Sequence, residues 1–221
     1  KAGFVGVNIT IPHKETVLEL ADLVTDRATL IGAANTLIFR KDGKIHADNT
    51  DGYGFLENLK SGAPNWNPSA GPATVLGAGG AARAVISSLL DSGVPEILLS
   101  NRTKIRGESL AENFGNRVKV IDWVQAGNIL EGSALVVNTT ALGMVGKKEM
   151  RIPLDGLSIN TIVTDLVYTP LETDLLTTAR QIGCVTIDGL GMLLHQAVPG
   201  FERWFGLRPT VDNDTRAIAL Q

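Results

Sequence analysis

At 221 residues, 44% apolar and 19% charged, the chain has the composition of a soluble globular protein able to bury a core of ordinary size. Its formal net charge of −3 gives no general attraction to nucleic acid or to an anionic membrane, so any anion site has to be local. A single cysteine, Cys184, excludes an internal disulfide and a cysteine-rich metal site, and no apolar run reaches the length of a membrane span, so a reducing cytoplasm is the expected setting and no metal is expected.

Residues 4–11 alternate and are rich in β-branched side chains, which predicts a strand. Pro12 then opens a helix expected to run to about Val24, with Val17, Leu18, Leu20 and Ala21 as its apolar face. Residues 36–40 and 44–47 read as short strands around Asp42-Gly43, a hairpin signal. Residues 51–59 look helical, and the stretch 61–69, with two prolines and two asparagines, makes a natural boundary loop. From Ala73 the rhythm changes to strands and helices in alternation. Strands are expected near 73–76, 97–100, 118–121, 135–138, 162–165 and 185–187, and the clearest helices near 81–90, 106–113 and 171–181. Six apolar strands with such crossovers predict an α/β protein built on a doubly wound parallel sheet, with a second, smaller α/β lobe before it. Residues 190–205 are helical in character, with Pro199-Gly200 expected to kink or break the helix, and a last helix is expected around 214–220.

Between the strand at 73–76 and the helix at 81–90 stands Gly77-Ala78-Gly79-Gly80-Ala81-Ala82. Strand, glycine turn and helix in that order make a cradle for a dinucleotide pyrophosphate. The first glycine permits the tight turn, the second lets backbone approach the phosphates, and the helix N-terminus supplies N–H donors and a positive dipole. An NAD-binding turn of this kind is followed about 20 residues on by an Asp or Glu for the ribose hydroxyl. Here the next strand ends in Ser100-Asn101-Arg102-Thr103-Lys104-Ile105-Arg106, with no carboxylate and three cations. Arg102 and Arg106 suit a 2′-phosphate, since guanidinium forks match phosphate geometry, and each charge-assisted bond is worth roughly 1.5–3 kcal/mol. NADP is the expected cofactor; the alternative is a solvated helix start whose cations only keep the chain soluble.

Before the boundary loop, Asn8, Thr10, Lys14, Asn35, Asn49 and Asp51 are polar residues in apolar settings. Asn8 and Thr10 share a strand face, Lys14 follows Pro12, and Asp51 begins a helix, where an acid also serves as a plain cap. Asn8-Ile9-Thr10-Ile11-Pro12-His13-Lys14, Gly32-Ala33-Ala34-Asn35-Thr36 and Asp48-Asn49-Thr50-Asp51-Gly52 together resemble shikimate dehydrogenases. The resemblance continues through the glycine turn, Asn101-Arg102-Thr103 with Arg106, Asn138-Thr139-Thr140 with Gly143-Met144, and Asp165-Leu166-Val167-Tyr168. It closes on Asp188-Gly189-Leu190-Gly191-Met192 and Leu193-Leu194-His195-Gln196-Ala197, and covers residues 3 to about 206.

The resemblance implies NADP-dependent reversible reduction of 3-dehydroshikimate to shikimate, in the chorismate route to aromatic amino acids. It implies Lys14 and Asp51 as the catalytic pair and Thr10, Asn35, Asp51, Tyr168 and Gln196 as substrate ligands. For the cofactor it implies Gly77, Ala78, Gly79, Gly80 and Ala81 at the pyrophosphate, Asn101, Arg102, Thr103 and Arg106 at the 2′-phosphate, and Leu166 and Gly189 at the nicotinamide. His13 and His195 receive no task. The implied domains are a substrate lobe at 1–59, joined by helices from 190–221, and a Rossmann-like NADP domain at 72–189; the partners are small molecules, and the chain is a monomer or homodimer. The family's leading segment, with a Ser-x-Ser motif for the substrate carboxylate, has no counterpart here. The substrate lobe is therefore expected to be incomplete, and the chain, which lacks an initiator methionine, to begin inside a longer protein. Two other readings are an NAD-using quinate/shikimate dehydrogenase and a non-catalytic dinucleotide-binding module. Retention of both Lys14 and Asp51 argues against the second, and Arg102 with Arg106 against the first.

Overall fold

Short β-branched and aliphatic runs become strands throughout, in a computed structural model that describes residues 3–10 and 12–221. Contacts divide the chain into two units, residues 1–55 with 191–221, and residues 56–190.

The smaller unit is built on a four-stranded sheet in the order β1-β3-β4-β2. Strand β1 (Gly6–Asn8) pairs antiparallel with β3 (Thr36–Phe39), which forms the expected hairpin with β4 (Ile45–Asp48) across Asp42-Gly43. Residue 11, the end of the strand expected over 4–11, lies outside the described residues. The helix expected over 12–24 is not formed. In its place are a single 3-10 stretch, Thr16–Leu20, and a two-residue strand, β2 (Leu23–Val24), parallel to β4. The physical reason lies in the pairing: Asp22 N–H donates to Ile45 O, the Asp22 carboxylate takes Ile45 N–H, and Thr25 N–H donates to Ala47 O. Val17 is buried as expected, but Leu20 stands 70% exposed. Helix α1 (Asp26–Ile31) went unpredicted although its signals are local. Thr25 Oγ1 caps Ala28 N–H, and Gly32 closes the helix in the left-handed region at φ +69°. Val17, Ala34, Leu37 and Ala47 form the core under this sheet.

Helix α2 (Asp51–Gly62) leads out of the smaller unit, and the unit boundary falls within it. The larger unit then alternates as expected. Strands β5 (Ala73–Leu76), β6 (Ile97–Asn101), β7 (Val118–Asp122), β8 (Leu135–Asn138), β9 (Ile162–Asp165) and β10 (Val185–Ile187) are joined by helices α3 (Gly80–Asp91) after β5, α4 (Lys104–Phe114) after β6 and α5 (Asp174–Ile182) after β9, with only 3-10 turns between β7 and β8. All six strands are parallel, in the order β10-β9-β8-β5-β6-β7. The order reverses between β5 and β8, and such a switch point, at the carboxyl ends of the strands, is where doubly wound sheets bind ligands. The strands are buried on both faces: Val75, Leu76, Ile97, Leu99, Val136 and Val163 have no exposed surface. Cys184 is buried here, its thiol donating to Ser158 O at 3.1 Å; burial raises the thiol pKa, which disfavours the reactive thiolate.

The chain returns to the smaller unit through α6 (Leu190–Phe205) and ends in α7 (Asn213–Ala219). Of the kink or break expected at Pro199-Gly200, the break does not occur, and α6 runs on through the proline. Its ring costs the helix a backbone bond, and packing around it compensates. Gly200, beside it, lets the helix approach Thr36 so closely that a Cβ would stand 3.1 Å from Thr36 Cγ2. Trp204, one turn on, donates its indole N–H to Leu37 O at 3.0 Å.

Candidate active site

In the smaller unit, polar side chains from distant stretches converge where β3 begins and α2 starts. Lys14 Nζ lies 2.6 Å from Asp51 Oδ2, with the lysine side chain 18% exposed and the aspartate 6%. Lys14 is fixed from behind by its own backbone, whose carbonyl accepts Ala34 N–H at 2.7 Å. Asp51 is held at the first position of α2, and its N–H is capped by Asn49 Oδ1 at 3.0 Å. Asn35 stands at the centre. Its amide faces Asp51 Oδ1 at 2.9 Å, Gln196 Oε1 at 2.8 Å and Thr50 Oγ1 at 2.9 Å, while its carbonyl oxygen accepts Thr50 N–H at 2.8 Å. Thr50 Oγ1 donates onward to Gln196 O at 2.8 Å. A buried network so fully satisfied holds its members in one arrangement. The structure thus brings together Lys14, Asn35, Asp51 and Gln196. Thr10 is exposed, with its carbonyl accepting His13 N–H, and Tyr168 belongs to the larger unit, 43% exposed.

Sequence reasoning passed over the brace beneath this cluster. Asp48 is fully buried, one residue before Asn49, and receives Arg27 Nε at 2.6 Å, Arg203 Nη1 at 2.9 Å, Thr25 Oγ1 at 2.8 Å and Asn49 N–H at 2.8 Å. Burial pushes its carboxyl up, but the hydrogen bonds from Arg27 and Thr25 and the charges of Arg27 and Arg203 outweigh it and hold the pKa below the ordinary value. No periodicity marks such a clamp; an acid ending an apolar strand was the available signal.

In the larger unit the glycine turn follows β5. Gly77 adopts φ +110°, and a Cβ on it would stand 2.6 Å from Thr139 Oγ1, so only glycine fits. Gly79 and Gly80 face open space, and α3 starts from Gly79 with no side-chain cap, which leaves its first N–H groups free for an anion. Ala78 and Ala81 complete the small-residue turn. Beyond it, Asn101, Arg102, Thr103 and Arg106 line a cavity of about 930 Å³. Thr103 precedes α4 without capping it, so its hydroxyl remains available to a ligand. The residues present therefore fit a 2′-phosphorylated dinucleotide. Leu166 follows β9, its N–H donating to Asn138 O, and a Cβ on Gly189 would overlap Leu166 O at 2.3 Å, so the two residues meet. Below them Asp165 Oδ1 accepts Asn138 Nδ2 at 2.8 Å and Val167 N–H at 2.9 Å, and Oδ2 accepts Thr173 Oγ1 at 2.8 Å, a set that sequence reasoning also missed.

Fold and glycine turn together define a dinucleotide-binding α/β protein. Three family profiles match in chain order: a shikimate dehydrogenase substrate binding domain over residues 1–37, shikimate / quinate 5-dehydrogenase over 66–155, and a shikimate 5′-dehydrogenase C-terminal domain over 189–218. The chain is 69% identical over 220 residues to shikimate dehydrogenase (NADP(+)) of Cereibacter sphaeroides and, at the same identity, to that of Roseobacter denitrificans; each alignment spans 100% of this chain and 79% of the relative. Among solved structures, quinate dehydrogenase from Corynebacterium glutamicum in complex with NAD superposes with a TM-score of 0.91 at 34% identity, over 99% of this chain and 79% of that one. Shikimate 5-dehydrogenase from Thermus thermophilus in complex with NADP(H) and shikimate does so at 0.83 and 39%, over 95% and 76%. The chain belongs to the shikimate dehydrogenase family.

Proposed function

We propose that the chain catalyses the NADP-dependent, reversible reduction of 3-dehydroshikimate to shikimate. The observation that carries this reading is the Lys14–Asp51 pair at 2.6 Å, locked by Asn35. When bound, NADPH supplies a hydride to the ketone carbon. The carbonyl oxygen then takes up negative charge, and the Lys14 ammonium stands as its proton donor; in the oxidative direction the neutral amine takes that proton back. Asp51 Oδ2 holds the ammonium in place, while Asn35 keeps Oδ1 from turning away. Lys14, 18% exposed, exchanges protons with solvent between turnovers. Asn35, Gln196, Thr10 and Tyr168 serve as hydroxyl ligands of the substrate.

NADP rather than NAD is supported by Arg102 and Arg106 in one cavity and by Asn101, not a carboxylate, at the end of β6. In this reading residues 1–59 with 190–221 carry the substrate chemistry, and residues 72–189 hold the cofactor, with Leu166 and Gly189 at the nicotinamide. The enzyme acts in the cytoplasm as a monomer or homodimer; its single, buried thiol supports a reducing compartment.

Lys14→Ala is the test, with shikimate oxidation followed by the absorbance of the reduced cofactor. Turnover should fall by about 10²–10⁴-fold, the usual worth of a positioned acid or base, while the Kd for NADP⁺ changes less than about twofold. Normal turnover in the variant would sink the assignment.

A further inference from the structure

The cavity that holds Arg102 and Arg106 has a second basic wall. It comes from the segment after β8, where Lys147, Lys148 and Arg151 line the same volume. Glu149 is the only carboxylate among the lining residues, and Arg151 Nη2 reaches it at 3.3 Å. Arg102, Arg106, Lys147 and Lys148 have no ion-pair partner among the described residues, in a chain whose net charge is −3. Four unmatched cations around one cavity repel one another, and a dianion that enters relieves this.

The lysines are not on a loose tail. Gly143 N–H donates to Lys148 O at 2.8 Å, Lys147 N–H to Met144 O at 2.9 Å and Val145 N–H to Thr169 O at 3.0 Å, which closes residues 143–148 into a pinned loop. The lining residues also decide which phosphate is concerned. None of Gly77, Ala78, Gly79, Gly80 or Ala81 is among them, so the cavity lies on the side of the Arg102–Arg106 cluster and not on that of the pyrophosphate cradle.

We propose that Lys147 and Lys148 are specificity-determining residues that grip the 2′-phosphate of the adenosine ribose opposite Arg102 and Arg106. The proposal rests on the NADP reading given above. The two stretches act as jaws: Arg102 just after β6 and Arg106 in the first turn of α4 supply planar forks, and the lysines supply point charges that adapt to the phosphate. An NAD-like ligand, lacking that phosphate, leaves the jaws unmatched.

Calorimetric titration with 2′,5′-ADP and with ADP separates the two ideas. The unaltered chain should prefer 2′,5′-ADP. In the double variant Lys147→Ala, Lys148→Ala, both changes at exposed positions, 2′,5′-ADP should bind on the order of tenfold more weakly while ADP changes less than about twofold. Lys147→Arg with Lys148→Arg should keep the preference. An equal loss for both ligands would overturn the proposal in favour of general anion attraction, and an unchanged preference in the alanine variant would overturn it while leaving the NADP reading intact. An unaltered chain without any preference would remove the NADP reading and the proposal with it.

Discussion

Asp165 ends β9 with no exposed surface, and three donors converge on its carboxylate. Burial nevertheless dominates: it pushes the carboxyl from the ordinary 3.8 up to about 6, against the hydrogen bonds from Val167, Thr173 and Asn138. The folded chain thus keeps a proton there through a window, about pH 4 to 6, in which the unfolded chain has released it. Stability from this group is fully present below the unfolded pKa and is lost as pH rises through about 6, a change of roughly 3 kcal/mol. Asp165→Asn cannot ionise and retains an acceptor for the Asn138 and Val167 donors. The difference in unfolding free energy, variant minus parent, should therefore rise by up to about 3 kcal/mol between pH 4 and pH 7 in urea melts. A difference that stays flat with pH would show that the carboxylate is ionised in the native state throughout that range. Asp48, fully buried as well, has the opposite sign, since Arg27 and Arg203 stand beside Thr25 among its partners and hold its pKa down. Its stabilisation is present at neutral pH and lost as pH falls through its folded value, below the ordinary 3.8. Two buried acids at strand ends thus pull in contrary directions, and only their partners distinguish them.

At the scale of elements, α2 and α6 meet at Gly54, where a Cβ would stand 2.6 Å from Gln196 Cβ and 2.7 Å from Met192 O. A methyl group there must push α6 away, and α6 carries Gln196, which closes the network on Asn35. Gly54→Ala should cost about 1–3 kcal/mol in denaturant midpoint experiments, as overpacking does, and lower kcat together with it. Full activity at full stability would show that the helices can part without disturbing the site. The same two helices show where sequence reasoning succeeds. Asp51 at the first turn marked α2 and apolar residues in a helical run marked α6, as apolar runs marked all six strands of the larger sheet. It failed where a tertiary partner decided the matter. Leu23–Val24 reads as the end of a helix, yet β4 offers an edge with unpaired backbone groups, and pairing there outweighs weak helix propensity. Pro199 reads as a kink or a break, yet α6 runs on through it, and Gly200 beside it lets the helix pack closely on Thr36. In the site, Lys14 and Asp51 were legible through motifs, whereas Lys147 and Lys148 were not. Nothing in the order of residues tells that a loop after β8 faces the end of β6.

The whole molecule carries two cores of unequal strength. The larger unit surrounds a six-stranded sheet buried on both faces, while the smaller has a four-stranded sheet and leaves Phe4, Leu20, Leu30, Phe205, Leu207 and Ile218 at least half exposed. Stability follows buried apolar area, so the smaller unit should yield first, and two-state behaviour need not hold for a chain with two cores. Scanning calorimetry should resolve two transitions, the lower belonging to residues 1–55 with 191–221. Every residue proposed to hold the adenosine 2′-phosphate lies within 56–190. A ligand that binds only the folded form of one unit stabilises that unit alone, by about 2.7 kcal/mol at a hundred times its Kd. Adding 2′,5′-ADP should therefore raise the upper transition and leave the lower one where it is. A single transition that moves as one would mean that α2 and α6, which run through the unit boundary, transmit the stabilisation along their continuous backbone.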